Sequence, residues 1–320
     1  MRNPLSMLSR CLFTLLLILP VSTTVFANYS IGLAAWTGYP DNVRGFKDGL
    51  VEGGLDLSKV TFIEGVTSAD KATQTQSIQQ MKEKRVDLVY SLTTPGTLIV
   101  KNTFPESVPI VFSIVTYPAD SGLIDSFEYS GNNLVGTSNY ISLKYYIQLL
   151  DALLPDTKTA AIFHRKGEPN SKIQASNLIR LLKRKKVQVF DIEVSNLEEL
   201  EQQALAVAQK SDVFITTTDT LLQNGGEQVL IEVAKHAQIP VLSSNKSGIQ
   251  QGATFGPVAD FYLLGKQSGL LAADILLNGK QPRHLESSLQ KAPTFLINKE
   301  SFSRLQLDEK KLANFSYQWF

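Results

Sequence analysis

The sequence predicts an α/β protein built from two doubly wound parallel-sheet lobes joined by a hinge that the chain crosses more than once. Short β-rich runs alternate with helical patterns, the central runs are apolar throughout, and the two halves of the chain repeat one pattern. Continuous apolar strands separated by helices are typical of parallel sheets covered on both faces. The strand-like runs are 29–36, 59–66, 86–92, 108–115, 133–138, 158–164, 187–194, 212–218, 239–244 and 252–257.

Amphipathic segments lie between these runs, as alternating strand–helix units require. They occupy 42–53, 70–84, 144–154, 172–186, 197–210 and 226–238. A longer helical pattern at about 259–278 and the run APTFLIN come after the second half, which indicates repeated crossing between the lobes. We therefore expect an N-terminal lobe of 28–138 completed by about 257–282. The C-terminal lobe should then be 139–256, completed by about 290–320.

The two halves echo each other in the runs DLVYSLTT and DVFITTTD. Each is a buried strand that ends in hydroxyl groups, and each is followed one helix later by a matched strand, VPIVFS or IPVLSS. Thr93 then corresponds to Thr218 and Thr94 to Asp219. Ligands of such sheets bind beyond the carboxyl ends of the strands, and two lobes with those edges facing each other form a cleft that can close.

The first 27 residues have the pattern of a secretory signal peptide. Arg2 and Arg10 precede a short apolar run that starts at Cys11, and Ala27 is a small residue suited to cleavage. The apolar run is too short to span a bilayer. We expect cleavage after Ala27 and a periplasmic protein without cysteine, because Cys11 is the only one.

The charge balance argues against nucleic acid and anionic membranes as partners. The chain carries a formal charge of +1, which becomes −1 when Arg2 and Arg10 are removed with the signal peptide. No broad basic field is available for phosphate groups. The one basic cluster, at 183–186, falls where a helix should end, and cations there complement the helix dipole.

Motifs of catalysis are missing from the sequence. The histidines His164, His236 and His284 are scattered and follow no metal-ligand spacing. There is no G-x-S-x-G elbow, no P-loop, and no G-x-G-x-x-G after the first strand. We therefore expect no enzyme activity, no metal and no cofactor. Nothing in the sequence argues against a monomer, which we also expect.

A set of motifs resembles one bacterial protein family. They are RGFKDGL at 44–50, VPIVFSIVTYPADSGLI at 108–124, GEPNSKIQ at 167–174, TTTD at 216–219, the long run at 239–269 and FLIN at 295–298. In this order, and over nearly the whole mature chain, they resemble ABC-transporter substrate-binding proteins of the tryptophan/tyrosine type. The resemblance implies a type I periplasmic binding protein fold with three crossings between lobes. It also implies capture of a small solute, such as an amino acid or related compound, and delivery to an inner-membrane ABC permease. A second hypothesis is a receptor of the same kind that serves a membrane sensor or chemoreceptor.

Three candidate ligand contacts come from the second lobe. Asn170 and Ser171 begin a helix-like pattern, where one of them would serve as N-cap, and the family's Glu-x-Asn-Ser stretch lies at the cleft. Asp219 has the same two interpretations. In the family this aspartate faces the cleft, and a buried ligand ammonium requires such an acceptor.

The matching strand end of the first lobe supplies Thr93, Thr94 and Gly96. Pro95 suits the first turn of a helix, which would leave neighbouring N–H groups to meet a ligand carboxylate, or the segment is only a structural turn.

Two aromatic residues complete the predicted site. Trp36 ends the first strand, where the family's first cleft loop begins, so it either packs in the core or lines the cleft. Tyr117 stands where the family usually has aspartate before the proline. That exchange favours either an aromatic or apolar ligand body, or a ligand with one fewer positive group.

Overall fold

The computed structural model describes residues 28–36, 38–68 and 70–320, so the predicted signal peptide lies outside the described residues. Within those ranges no helix is both long and apolar enough to cross a membrane. The described strands form two separate sheets, each flanked by helices. The predicted α/β class with two parallel-sheet lobes is confirmed.

The first sheet, which with its helices we call the first lobe, has the strand order β11-β5-β4-β3-β1-β2, and its neighbouring strands are parallel. Its strands are β1 Tyr29–Ala34, β2 Val60–Glu64, β3 Leu88–Leu92, β4 Ile110–Ser113, β5 Leu134–Ser138 and β11 Ser288–Leu289. Strands β3, β4 and β5 are buried along their whole length. Their side chains alternate between two apolar cores, as the period of a strand requires: Val89 packs on one face of the sheet and Leu88 and Tyr90 on the other.

The second sheet, which defines the second lobe, has the order β13-β12-β10-β9-β8-β6-β7. Its strands are β6 Thr159–Arg165, β7 Gln188–Val194, β8 Val213–Thr216, β9 Val241–Leu242, β10 Phe255–Val258, β12 Thr294–Ile297 and β13 Tyr317–Trp319. Strand β12 runs antiparallel to β10, whereas the other neighbours are parallel. The carboxyl ends of the central parallel strands therefore meet at one edge, which faces the first lobe.

The helices follow the predicted alternation with strands. They are α1 Pro40–Glu52, α2 Lys71–Glu83, α3 Thr94–Thr103, α4 Leu143–Leu153, α5 Pro169–Arg184, α6 Leu197–Ala208, α7 Glu227–Ala237, α8 Lys246–Gln251, α9 Phe261–Asn278 and α10 Lys299–Arg304. Helix α5 begins at Pro169, earlier than the apolar periodicity indicated, because proline at the first helical position fits the helix backbone.

The described chain passes between the lobes three times. It leaves β5 of the first sheet for β6 of the second, returns from β10 through α9 to β11, and crosses again to β12. Helix α9 packs tightly on α1 because glycines remove the side chains between them. A Cβ atom on Gly45 would lie 2.1 Å from the carbonyl oxygen of Tyr262, and one on Gly269 would lie 2.2 Å from that of Phe46. The α9 helix thus returns to the first lobe through backbone-to-backbone contact.

Candidate ligand-binding cleft

A small cavity lies between the lobes at the carboxyl ends of both sheets. Its space amounts to about 10 Å³, roughly enough for one water molecule. Its described lining comes from both lobes: Thr93, Thr94, Pro95, Ile114 and Asn139, then Glu168, Asn170, Thr218, Asp219, Thr220 and Gln223. The cleft is therefore closed, and a ligand larger than water enters only when the lobes separate.

Direct hydrogen bonds between the lobes hold this closed arrangement. The hydroxyl oxygens of Thr116 and Thr218 are 3.0 Å apart. The Tyr39 hydroxyl donates to Oε1 of Gln223 at 2.8 Å. Gln223 lines both the cavity and a larger outer groove of about 550 Å³, so the Tyr39 contact lies between the two spaces.

The first-lobe wall is made of strained backbone. Thr93, at the end of β3, has φ 68° and ψ 159°, and Ile114, at the end of β4, has φ 56°. Positive φ is rare for β-branched residues and is concentrated at functional sites. The strain at Thr93 accompanies its role as N-cap of α3, where Oγ1 accepts the Gly96 N–H at 3.3 Å.

Thr94 provides the polar group of this wall. Its side chain is buried, and Oγ1 finds no hydrogen-bond partner among the described residues. Buried polar groups are rarely left unsatisfied in proteins, so an orphan hydroxyl in a cavity indicates a missing partner. The Gly96 N–H, expected to meet a ligand carboxylate, is used by Thr93 instead.

Asp219 is part of the second-lobe wall of the cavity and accepts several hydrogen bonds there. Its Oδ2 accepts the backbone N–H of Arg165 at 3.0 Å and the Thr217 hydroxyl at 2.9 Å. Its Oδ1 accepts the Leu222 N–H three residues later at 2.8 Å, which is the geometry of a helix N-cap. Both interpretations of the sequence therefore apply, because Asp219 caps a helix start and also lines the cavity.

Glu168 is a second buried carboxylate in the same wall. It accepts the Arg165 guanidinium at 3.0 Å and the Thr220 N–H at 3.2 Å, and it contacts the Thr220 hydroxyl. Burial and the neighbouring Glu168 carboxylate raise the pKa of Asp219 to about 7. Burial also raises the pKa of Glu168, although the Thr220 hydrogen bond and the Arg165 charge oppose the rise.

The side-chain amide of Asn170 makes a hydrogen bond through its nitrogen, whereas its oxygen has no partner among the described residues. Its Nδ2 donates to the Thr218 carbonyl at 2.6 Å, while Oδ1 is buried and lacks a partner in the described part of the chain. Ser171 is also buried, but its hydroxyl donates back to the carbonyls of Arg165 and Glu168, at 3.1 and 3.2 Å. The N-cap interpretation of Asn170 and Ser171 is wrong, because Glu168 occupies the N-cap position of α5.

The aromatic candidates lie outside the lining of the cavity. Trp36 is buried in the first-lobe core beside α3, where a Cβ atom on Gly96 would lie 3.4 Å from the Cβ of Trp36. The Tyr117 ring lies 5.3 Å from that of Tyr140, and burial raises the pKa of its phenol above the usual range. Tyr117 lines a separate, open groove against α4 and α5.

The structure thus brings together Thr93, Thr94, Asn170 and Asp219, and leaves Trp36, Gly96, Tyr117 and Ser171 outside the cavity wall. Other lining residues were not predicted from the sequence: Ile114, Asn139, Thr220 and Gln223. The sequence indicates these residues only by their position along the chain. Ile114 and Asn139 directly follow strands β4 and β5, and Thr220 and Gln223 follow Asp219. In the described ranges no group of three or more histidine, cysteine, aspartate or glutamate residues is placed to hold a metal ion.

A family model for "ABC transporter substrate binding protein" matches residues 37–313. The chain belongs to this family. Among curated members, the "Tyrosine-binding protein" of Clostridioides difficile (strain R20291) is 27% identical over 274 residues, which cover 86% of this chain and 76% of that protein. The resemblance stated from the motifs is therefore confirmed, and the protein is a substrate-binding protein.

Solved structures of similar fold include members of the same class. The ABC domain in complex with L-Trp from Streptococcus pneumonia superposes with a TM-score of 0.85, at 20% identity, covering 92% of this chain and 100% of that one. A conserved domain protein from Vibrio cholerae gives 0.84 at 23% identity, covering 91% and 99%. The ligand-free, open structure of a substrate-binding protein from Clostridium difficile gives 0.70 at 22% identity, covering 91% and 99%.

Proposed function

We propose that this protein captures an amino acid between its two lobes and delivers it to an ABC importer. One observation carries the proposal: Thr94 Oγ1 from the first lobe and Asn170 Oδ1 from the second are buried at one cavity, and both lack partners in the described structure. An amide oxygen only accepts hydrogen bonds, whereas a hydroxyl can also donate. A ligand with a donor group at one end and an acceptor group at the other satisfies both.

The second-lobe wall has the chemistry of an ammonium site. Asp219 and Glu168 are carboxylates, and Oδ1 of Asn170 is a further acceptor beside them. An ammonium group buried without such acceptors would lose several kcal/mol of solvation, on the order of its whole binding free energy. We assign Asp219 as the main partner of the ligand amine, with Asn170 accepting a second N–H.

The first-lobe wall suits the carboxylate end of the ligand. The Thr94 hydroxyl is the free donor there, and described first-lobe residues put no negative charge on the cavity lining. Because the two ends of the ligand bind different lobes, a state closed around the ligand, with the lobes farther apart than at the empty cavity of about 10 Å³, is selected over the open state. Binding then proceeds by lobe closure without chemical conversion of the ligand.

The ligand side chain is proposed to be aromatic. The relatives described above carry tyrosine and L-Trp in their names. Trp36 Nε1 and the Tyr117 hydroxyl are buried, and neither has a hydrogen-bond partner among the residues described. We propose that lobe opening and ligand entry rearrange these rings into walls of the side-chain pocket.

Export to the periplasm by the segment 1–27, monomeric state and docking to an inner-membrane permease complete the proposal. The family match supports export and docking to a permease, since a substrate-binding protein of an ABC importer acts where the permease receives its solute. Deleting the gene should abolish uptake of the bound amino acid. Unchanged uptake, with loss of a chemotactic or signalling response, would contradict delivery to an importer.

Calorimetry on residues 28–320 tests the ligand class. We expect L-tyrosine or L-tryptophan to bind and to add about 2.7 kcal/mol of stability at 100 times the dissociation constant. Tyramine, which lacks the carboxylate, and hydroxyphenylpropionate, which lacks the ammonium group, should each bind much more weakly. Binding of sugars alone, or an affinity for either analogue equal to that for the amino acid, would contradict the proposal.

A further inference from the structure

The charges around the closed cavity do not balance. Glu168 and Asp219 are the ionisable side chains among the described residues of its lining, and they are 4% and 1% exposed. Arg165, at the end of β6, supplies one guanidinium, which pairs with Glu168. Asp219 accepts its described hydrogen bonds from uncharged donors.

The first lobe does not correct this imbalance. The residues that it places on the described lining are threonine, proline, isoleucine and asparagine, all uncharged. Closure therefore seals two carboxyl groups against one cation, with Asp219 left without a countercharge. A buried carboxylate without a partner is unstable, and it either binds a cation or takes up a proton.

We propose that the Glu168–Asp219 pair exchanges one proton for the cationic group of the ligand. The ligand-free cleft closes only after this pair takes up a proton, and a ligand ammonium group replaces that proton when it binds. The inference rests on the proposed function for the identity of the cation. The proton uptake on empty closure stands on the geometry of the cleft alone.

The pH range follows from the direction of the pKa shifts. Burial raises the pKa of Asp219 to about 7 in the closed state. We infer that opening the cleft exposes Asp219 to water, which lowers its pKa toward the value near 4 of a solvated aspartate. The closed state therefore binds more protons between these values, and falling pH stabilises it relative to the open state. Above neutral pH, empty closure would bury an unpaired charge, so the ligand-free protein stays open until a cationic ligand arrives.

Small-angle X-ray scattering of the ligand-free protein tests this inference without any ligand. Between pH 8 and pH 5 we expect the profile to move toward that of the closed structure. The closure constant should rise about tenfold for each pH unit between the two pKa values. A profile that does not change with pH would overturn the proposal.

Variants locate the proton. Asp219→Asn keeps a helix-capping side chain and removes the charge, so it should favour the closed profile at pH 8 and lose the pH dependence. Glu168→Gln leaves Asp219 beside an unpaired Arg165 and should likewise promote closure at high pH. Wild-type pH dependence in both variants would overturn the assignment.

Glu227→Gln is the matched control. Glu227 is a buried carboxyl within the second lobe, held by Thr216 and Ser243 at 2.5 and 2.9 Å, and burial raises its pKa to about 7 as well. It does not contribute to the cavity lining. This variant should keep the wild-type pH dependence of closure, and loss of that dependence would place the proton at Glu227 instead.

Proton release on binding is the second readout. Calorimetry with L-tyrosine at pH 6, in buffers of different ionisation enthalpy, should show release approaching one proton in the wild type. Failure of L-tyrosine to bind would contradict the proposed ligand class and leave the scattering result to decide the proton uptake. Binding without proton release would contradict the exchange.

Discussion

The ends of strands β3 and β8 carry the same sequence pattern but build opposite walls of one cavity. At β3 the wall is Thr93 and Thr94, with strained backbone and a hydroxyl that lacks a partner among the described residues. At β8 the wall is Thr218 and Asp219, in a dense hydrogen-bond network that includes Arg165. Two strand ends with one sequence pattern thus form a neutral wall and an acidic wall.

Under the proposed function, this difference lets a repeated fold recognise an asymmetric ligand. The second position of the pattern is threonine in one half and aspartate in the other, so the proposed site for the ligand carboxylate is separated from the proposed site for the ammonium group. The surrounding support differs accordingly. Gln174 accepts both the N–H and the hydroxyl of Thr218, at 2.8 and 2.7 Å, and so fixes the acidic wall in place.

The largest expected effect on ligand affinity comes from removing the Asp219 carboxylate of the acidic wall. Asp219→Ala leaves Glu168 and Arg165 as a balanced pair, so a ligand ammonium would be buried without a countercharge. We expect the affinity for an amino acid to fall at least 100-fold, about 3 kcal/mol. Calorimetry measures the loss, and Asp191→Ala, an exposed carboxylate on β7, serves as the control. Wild-type affinity in Asp219→Ala would remove this residue from the site.

A smaller loss is expected at Asn170 on the same wall. Asn170→Ala removes the open Oδ1 acceptor and also frees the Thr218 carbonyl, which now accepts from Nδ2. The binding loss should be about tenfold, because one hydrogen bond to a charged group is worth about 1.5 kcal/mol. The thermal unfolding midpoint should fall only slightly. A large drop in stability with unchanged affinity would make Asn170 structural alone.

Three residues of this site could be predicted from their position after a buried strand. Thr93, Thr94 and Asp219 follow buried strands, and the carboxyl ends of parallel strands meet at one edge, so the sequence was sufficient to bring them together. Asn170 was identified through the motif it shares with the family. The fold class followed from the same alternation of apolar strands and helices.

The remaining features depend on tertiary packing that local pattern does not encode. Gln223 reaches the cavity from a kinked segment in which Gly225 has φ 106°. Tyr117 packs against the ring of Tyr140, a contact between residues that are distant in the sequence. The Ser171 hydroxyl donates to the backbone carbonyls of Arg165 and Glu168, a choice between neighbouring partners that residue type alone does not reveal.

The neutral wall is tested by Thr94→Val, which keeps the shape of the side chain and removes the hydroxyl. If Thr94 donates to the ligand carboxylate, affinity should fall about five- to tenfold, on the order of 1 kcal/mol. The stability of the ligand-free protein should be unchanged or higher, because a buried orphan hydroxyl disappears. Thr94→Ser should restore most of the affinity, and equal binding by the Val and Ser variants would contradict a hydroxyl contact.

The smallest expected effect is a change in the free energy of unfolding that distinguishes the backbone at the end of β3 from the backbone at the end of β8. Thr93 has φ 68°, a conformation that suits glycine, whereas its counterpart Thr218 is absent from the described residues with positive φ. Thr93→Gly should raise the free energy of unfolding of the ligand-free protein by about 1 kcal/mol, since relief of strain exceeds the small loss from a glycine N-cap together with the chain entropy that glycine gains in the unfolded state. Thr218→Gly should lower it by about 1 kcal/mol, because it gains chain entropy in the unfolded state and loses the hydrogen bond to Gln174. Denaturant unfolding measures both changes, and shifts of the same sign would show that the strain at Thr93 does not distinguish the two walls.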